Sequence, residues 1–233
     1  MARLRQQSQR SARRSRPAAL IVAAVLFFCP PGYGIEQFTK PLDTHAKNLA
    51  FYLRLLPEFA QWPKDTFADE KAPFIIGILG DDPFAEDADI MDRAIRVGAN
   101  ESPIEAILKH LYPTTGDRIS IKVGEKKVIQ RRLAVKRFSR LQPEIAECHL
   151  LFVSSAMEKR MPQILKLLEN SSVLTVGDVP EFIDHDGAIN CVAKKSVDGK
   201  EKINIGINLR AARRSNLKLD QDFYSGAARR IDS

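Results

Sequence analysis

Asp184-His185-Asp186 is the stretch whose residue types come closest to chemistry, because a histidine between two carboxylates is the raw material of a metal site or an acid–base pair. Its spacing argues against both. Adjacent side chains point apart, no further ligand follows at useful spacing, and Asp186-Gly187 reads more simply as a turn. Cys148-His149 sets a thiol beside a base in sequence, but neighbours on a strand face opposite sides and cannot form a hydrogen-bonded pair. His45 and His110 fall on expected helices with no partner at metal spacing, and neither G-x-S-x-G nor H-E-x-x-H occurs. The sequence is therefore expected to be no enzyme and to hold no metal.

Two loops remain as candidates for a binding crevice. Gly80-Asp81-Asp82-Pro83-Phe84 and Gly177-Asp178-Val179-Pro180-Glu181-Phe182 each follow an apolar run, as loops do where a strand of an α/β sheet hands over to a helix. Asp82 is placed to cap a helix that has Pro83 at its first position. One glycine per loop leaves few bare amides, and Asp81, Asp82 and Asp178 would repel an anion, so no nucleotide and no other cofactor is expected.

The elements that position these loops follow from periodicity. Leu42, Ala46, Leu49, Ala50, Leu53, Leu56 and Ala60 share one helical stripe, with Asp43 or Thr44 as cap and Pro57 as a kink or early end. Continuous apolar runs at 74–79, 148–154 and 173–176 read as buried strands, with a helix over 161–170 completing a right-handed βαβ unit. The runs 188–193 and 203–209 meet at Asp198-Gly199, and in the second Ile203, Ile205, Ile207 and Leu209 alternate with Asn204, Gly206 and Asn208, which predicts an antiparallel hairpin. The expected fold is α/β: a single three-layer sandwich with a mixed, largely parallel sheet and a C-terminal antiparallel hairpin. Trp62, the only tryptophan, is expected to anchor the end of the first helix.

Charge and cysteine content concern the compartment. Residues 1–34 hold six of the 36 Lys and Arg and none of the 29 Asp and Glu, and a 13-residue aliphatic run, 17–29, follows the arginines. That run is short for a membrane span, which needs about 20 residues, and the pattern predicts a secretory signal peptide cut near Gly34. The remainder, 35–233, carries 30 basic against 29 acidic residues. Such balance gives no basic footprint for nucleic acid, and the runs 126–132 and 210–214 read as solvated faces. Cys148 and Cys191 are the cysteines left in that remainder; an exported pair invites one disulfide, although strand cysteines are as often small buried apolar residues.

Four stretches in order resemble the YfiR family, periplasmic proteins that restrain an inner-membrane diguanylate cyclase. They are Phe59-Ala60-Gln61-Trp62-Pro63; Gly80-Asp81-Asp82-Pro83-Phe84; Cys148-His149 through Ser154; and Val173-Leu174-Thr175-Val176-x-Asp178, which continues through Phe182 and Gly187 to Ile207-Asn208-Leu209-Arg210-Ala211-Ala212-Arg213-Arg214. The resemblance spans residues 42–231, with an ordered insertion near 92–130. It implies a periplasmic regulator of cyclic-di-GMP signalling that binds the cyclase's sensory region, self-associates and meets an outer-membrane partner, and it implies that most matching residues maintain the fold. The partner face is expected at Arg210, Arg213, Arg214 and the exposed part of Phe182, since arginine and aromatic side chains are enriched at interface cores. The alternative is a periplasmic small-molecule sensor using the crevice at Gly80 and Gly177 to feed a histidine kinase or another receptor.

Overall fold

The apolar runs assemble as the middle of a sheet. The structure is a computed structural model that describes residues 45–84, 104–105, 107–108, 117–125, 127–195 and 201–232. Ten strands form one mixed sheet: β1 (60–62), β2 (74–79), β3 (118–123), β4 (127–138), β5 (150–153), β6 (174–177), β7 (189–195), β8 (201–208), β9 (218–219) and β10 (229–231), in the order β10-β8-β7-β6-β5-β2-β4-β3-β1-β9. β4, β2, β5, β6 and β7 run parallel, whereas β7 and β8 form the expected antiparallel hairpin, with Cys191 opposite Ile205.

Side-chain alternation gives the sheet two apolar faces. Phe74, Ile76 and Ile78 of β2, Leu150 and Phe152 of β5, and Leu174 and Val176 of β6 pack on one side with the helices His45–Leu55 and Leu209–Arg214 and with Ile104, Ile107 and Leu108. Leu79, Leu151 and Val153 pack on the other with Ile145, Met157, Ile164 of helix Met161–Leu167, and Phe182. Most of the cover on that second side is short 3-10 turns. Among the described residues the fold is thus mixed α/β, with a ten-strand mixed sheet and few helices.

The first helix ends at Leu55 and passes into a 3-10 turn, 56–59, with Pro57 as its second residue, because a ring without an amide proton cannot continue the α-helical ladder. Asp43 and Thr44 lie outside the described residues, as does the helix expected to start at Pro83 from residue 85 on; Pro83 and Phe84 themselves form a turn. In the insertion, residues 104, 105, 107 and 108 are helical and Ile119 and Ile121 of β3 are buried. β3 lies between β4, antiparallel to it, and β1, parallel to it. β4 changes partner along its length: Lys127 to Arg132 pair with β3, and Leu133 to Phe138 pair with β2.

The basic run 126–132 is not wholly a solvated face. Arg131 is only 5% exposed: its guanidinium lies 3.9 Å over the Phe67 ring and its Nη1 donates to the carbonyls of Asp69 (2.9 Å) and Ala72 (2.6 Å), while Arg132 faces solvent. The disulfide invited by the two cysteines does not form. Cys148 and Cys191 are free buried thiols that belong to opposite faces of the sheet, Cys148 with Leu151 and Ile145 and Cys191 with Ile189 and Ile205. Burial pushes the Cys148 thiol up to about 12, which leaves it without nucleophilic character.

Candidate functional site

The crevice expected at the carboxyl ends of β2, β5 and β6 is filled by the protein's own side chains. Gly80 adopts φ 95°, and a Cβ there would strike Ser154 Oγ and come within 2.9 Å of Met157 Cγ. Ser154 Oγ accepts from Asp81 N at 3.0 Å, which ties the two strand ends together. Asp82 Oδ1 accepts from Phe84 N (2.9 Å) and its Oδ2 lies 2.6 Å from Arg137 Nε, so the loop is braced locally and to β4. Pro83 is half-buried, and Phe84 is fully buried beside Phe152.

After β6 the chain makes only the 3-10 turn Pro180–Ile183, and Asp178 does not cap it. Burial pushes the Asp178 carboxyl above its usual range, and its Oδ1 has no hydrogen bond among the described residues. Phe182 is 0% exposed, which removes it from the expected partner face. Its ring is clasped between Gly177 and Gly187, where an added Cβ on either would fall inside the ring's contact distance. Two buried asparagines hold this turn from the hairpin. Asn190 Nδ2 donates to Pro180 O at 2.8 Å, and Asn208 Nδ2 donates to Ile183 O at 2.9 Å while its Oδ1 caps helix Leu209–Arg214 through Ala211 N at 3.0 Å. Leu209, Ala211 and Ala212 face the core, so the helix bearing the arginines is fixed from below. Thr175 Oγ1 accepts from Ala188 N (2.9 Å), and Leu174 and Val176 are core.

The acidic turn and the basic helix answer each other. Arg210 Nη2 lies 2.9 Å from Asp186 Oδ1, and Arg214 donates to Asp186 O (3.0 Å) and pairs with its carboxylate. Asp184 is gripped by Arg229 through two bonds of 2.6 Å, which hold its carboxyl below the usual range. Arg213 donates to Asp232 O, and His185 lies 3.6 Å from Glu158. The triplet that looked like a metal cluster is therefore an arginine-binding turn, and among the described residues no group of His, Cys, Asp and Glu is placed to hold a metal. Arg210, Arg213 and Arg214 come together as an exposed, alternately charged patch.

The opposite end of the same strands is open. A cleft of about 340 Å³ lies at the amino-terminal ends of β5 and β6, lined by Asp65, Thr66, Glu147, His149, Asn170 and Ser172 among others. Trp62 holds one of the lining residues in place: the indole is buried, stands edge-on to Phe74 at 5.3 Å and donates to Ser172 O at 3.1 Å, while Pro63 opens the 3-10 turn 64–66. His149 is 7% exposed and stacks on Phe67 (4.4 Å) and Phe74 (5.1 Å). Its Nδ1 accepts from Ile75 N at 2.9 Å, so the proton sits on Nε2. Burial, with Arg131 and Lys136 adding to it, lowers its pKa to about 4.

A family model described as YfiR/HmsC-like matches residues 47–225. The chain belongs to the YfiR/HmsC-like family. Among curated proteins none matches it. A crystal structure of a conserved domain protein from Vibrio cholerae O1 biovar El Tor is similar at 12% identity and a TM-score of 0.41, over 67% of this chain and 54% of that one, a likeness too distant to inform function. This YfiR/HmsC-like chain thus spans little more than half of that structure. Among the described residues of the family member no helix is long and apolar enough to cross a membrane.

Asn190, Arg131 and the cleft-lining position of His149 were missed by sequence reasoning. Arg131 and Arg132 look alike in a basic run, and only the inward–outward alternation of β4 separates them. Asn190 sits inside an apolar run, where a polar residue signals a buried hydrogen-bond task.

Proposed function

We propose that this protein is an exported regulator that binds the periplasmic sensory region of an inner-membrane diguanylate cyclase, holds it off and so lowers cyclic-di-GMP, without transforming a substrate itself. The observation that carries this is the YfiR/HmsC-like match over 47–225, since regulation by recognition is the role of that family. The fate of the shared stretches supports it: Trp62, Gly80, Phe84, Thr175, Phe182, Gly187 and Asn208 are spent on packing and backbone hydrogen bonds. The contact face we assign is the patch of Arg210, Arg213 and Arg214 with its aspartates, in which about half of the side-chain area of Arg210 and Arg214 meets solvent. Arginines already aligned by Asp186 and Asp232 present their remaining donors at little cost in ordering. Self-association and capture by an outer-membrane partner belong to the same proposal.

The test is affinity capture from detergent-solubilised membranes using the tagged exported chain, with cellular cyclic-di-GMP measured in parallel. A membrane protein with a diguanylate cyclase output domain is expected in the eluate, and deletion of this gene is expected to raise the second messenger. Unchanged cyclic-di-GMP together with no such cyclase in the eluate would overturn the proposal.

A further inference from the structure

We infer that the uncovered side of β3 and the first half of β4 is a contact surface for anionic phospholipid, which seats the protein against a membrane. This goes beyond the cyclase reading and uses a different part of the molecule. Strand register sorts the side chains. Arg118 lies opposite Arg132 and Lys122 opposite Val128 across the β3–β4 pair, and Gln61 of β1 stands between Lys122 and Lys218 of β9. With a period of two these residues share one side of the sheet, while Ile119, Ile121 and Leu133 between them face the core. The short helix and 3-10 turns on that side pack with β2, β5 and β6. Beyond their reach Arg118, Arg132, Lys218 and Val128 stand exposed. Val128, at 62% exposure, is the one large apolar side chain so open among the described residues.

The charges on this side do not cancel. Lys122 is held by Asp220, and Lys136, further along the same side of β4, by Glu147 at 2.7 Å. Arg118, Arg132 and Lys218 have no carboxylate partner among the described residues. At the rim Asp117 and Glu125 stand exposed at the two ends of β3, with the Lys64 chain running past Gly124 beside the second. Glu58, which also feels Lys122, is paired with Arg54. Lys64 and the five cations of the face against Asp220, Glu147, Asp117 and Glu125 leave an excess of two positive charges. Two guanidinium groups set directly opposite each other on paired strands repel, and a layer of phosphate head groups relieves that repulsion through charge-assisted hydrogen bonds. A lone protruding aliphatic chain among cations completes the composition of an interfacial contact, with the charges at the head groups and the apolar chain at the acyl boundary. An acidic protein segment would answer the arginines and leave Val128 without a partner.

The test is co-sedimentation of the purified exported chain with phosphatidylcholine vesicles, with and without about 30% phosphatidylglycerol. At about fivefold per uncompensated cation, Arg118, Arg132 and Lys218 together should favour the anionic vesicles about a hundredfold at low salt, and about 0.5 M salt should abolish the preference. Arg118→Glu should weaken that binding by about 25-fold, two charge units, while leaving the melting temperature equal or higher, because it turns a like-charge cross-strand pair into an opposite-charge one. Val128→Trp adds a fluorophore to a protein whose native indole, Trp62, is buried, and its emission should shift to the blue with anionic vesicles and stay unshifted with neutral ones. Equal retention on both vesicles, unchanged retention of Arg118→Glu, an unshifted spectrum, or tighter binding to soluble polyglutamate than to vesicles of equal charge would each overturn the assignment. Capture of the cyclase from detergent-solubilised membranes needs no bilayer, so the two readings fail separately.

Discussion

The two ends of the central parallel strands are built to opposite plans. At the carboxyl ends, where α/β sheets usually bind ligands, Gly80, Gly177 and Gly187 give up their side chains so that Ser154, Met157 and Phe182 can pack against bare backbone. At the amino ends no glycine marks the spot, yet polar side chains stand around an open cleft with a neutral imidazole in its wall. Glycine in a strand-to-loop turn is thus as good a signal for close packing as for ligand approach, and only the identity of what fills the vacated volume separates the two.

The sharpest way to break this contrast is at the packed end. Phe182→Ala empties the volume between two glycines that cannot refill it, and should cost about 3–5 kcal/mol in urea unfolding; a loss below ~1 kcal/mol would show that the clasp does not exist. The open end should respond to acid instead. The His149 imidazole takes up a proton near 6.5 in the unfolded chain but only near 4 in the fold. Between those values the unfolded state binds more protons, so stability is complete above about pH 6.5 and falls by about 3 kcal/mol in total as pH drops toward 4. A pH series of denaturation curves measures this limb, and His149→Phe should flatten it.

Smaller effects refine the picture. Asn208→Ala removes a helix cap and the hydrogen bond to Ile183 O, which should cost about 1–2 kcal/mol by thermal or urea unfolding and leave the cleft unchanged. Arg210→Ala, at an exposed pair, should change stability by less than ~1 kcal/mol and yet weaken capture of the membrane partner. If it leaves capture intact, the contact face lies elsewhere.

Much of the architecture was legible because its signals are local. Apolar runs marked β2, β5 and β6, strict alternation marked β8, and Pro57 marked the end of the first helix within two residues. The site was less legible because its determinants are distant in sequence. Nothing near Phe182 says whether its ring points outward, since the answer lies in Gly177 and Gly187 meeting around it. Nothing near Cys148 and Cys191 says that a sheet separates them; the export argument supplied a motive for pairing without a geometry. His149 reads as one more strand residue until Phe67, Phe74 and Ile75 are brought to it. Asp184 and Asp186 read as ligands until Arg229, Arg210 and Arg214 arrive from the last part of the chain.

The split allegiance of β4 makes it a splice between two wings. One length of it carries β3, β1 and β9, the other carries β2 and everything beyond, and the joint falls at Leu133, whose amide donates to Asp117 O at 2.7 Å. Among the described residues neither wing has a second route of strand pairing to the other. A shortened chain that dispensed with residues 117–125 would therefore strand β1, with Trp62 on it, away from the sheet that Trp62 helps to seal, so the inserted segment is a structural tie that later trimming cannot remove without rebuilding the wall of the cleft.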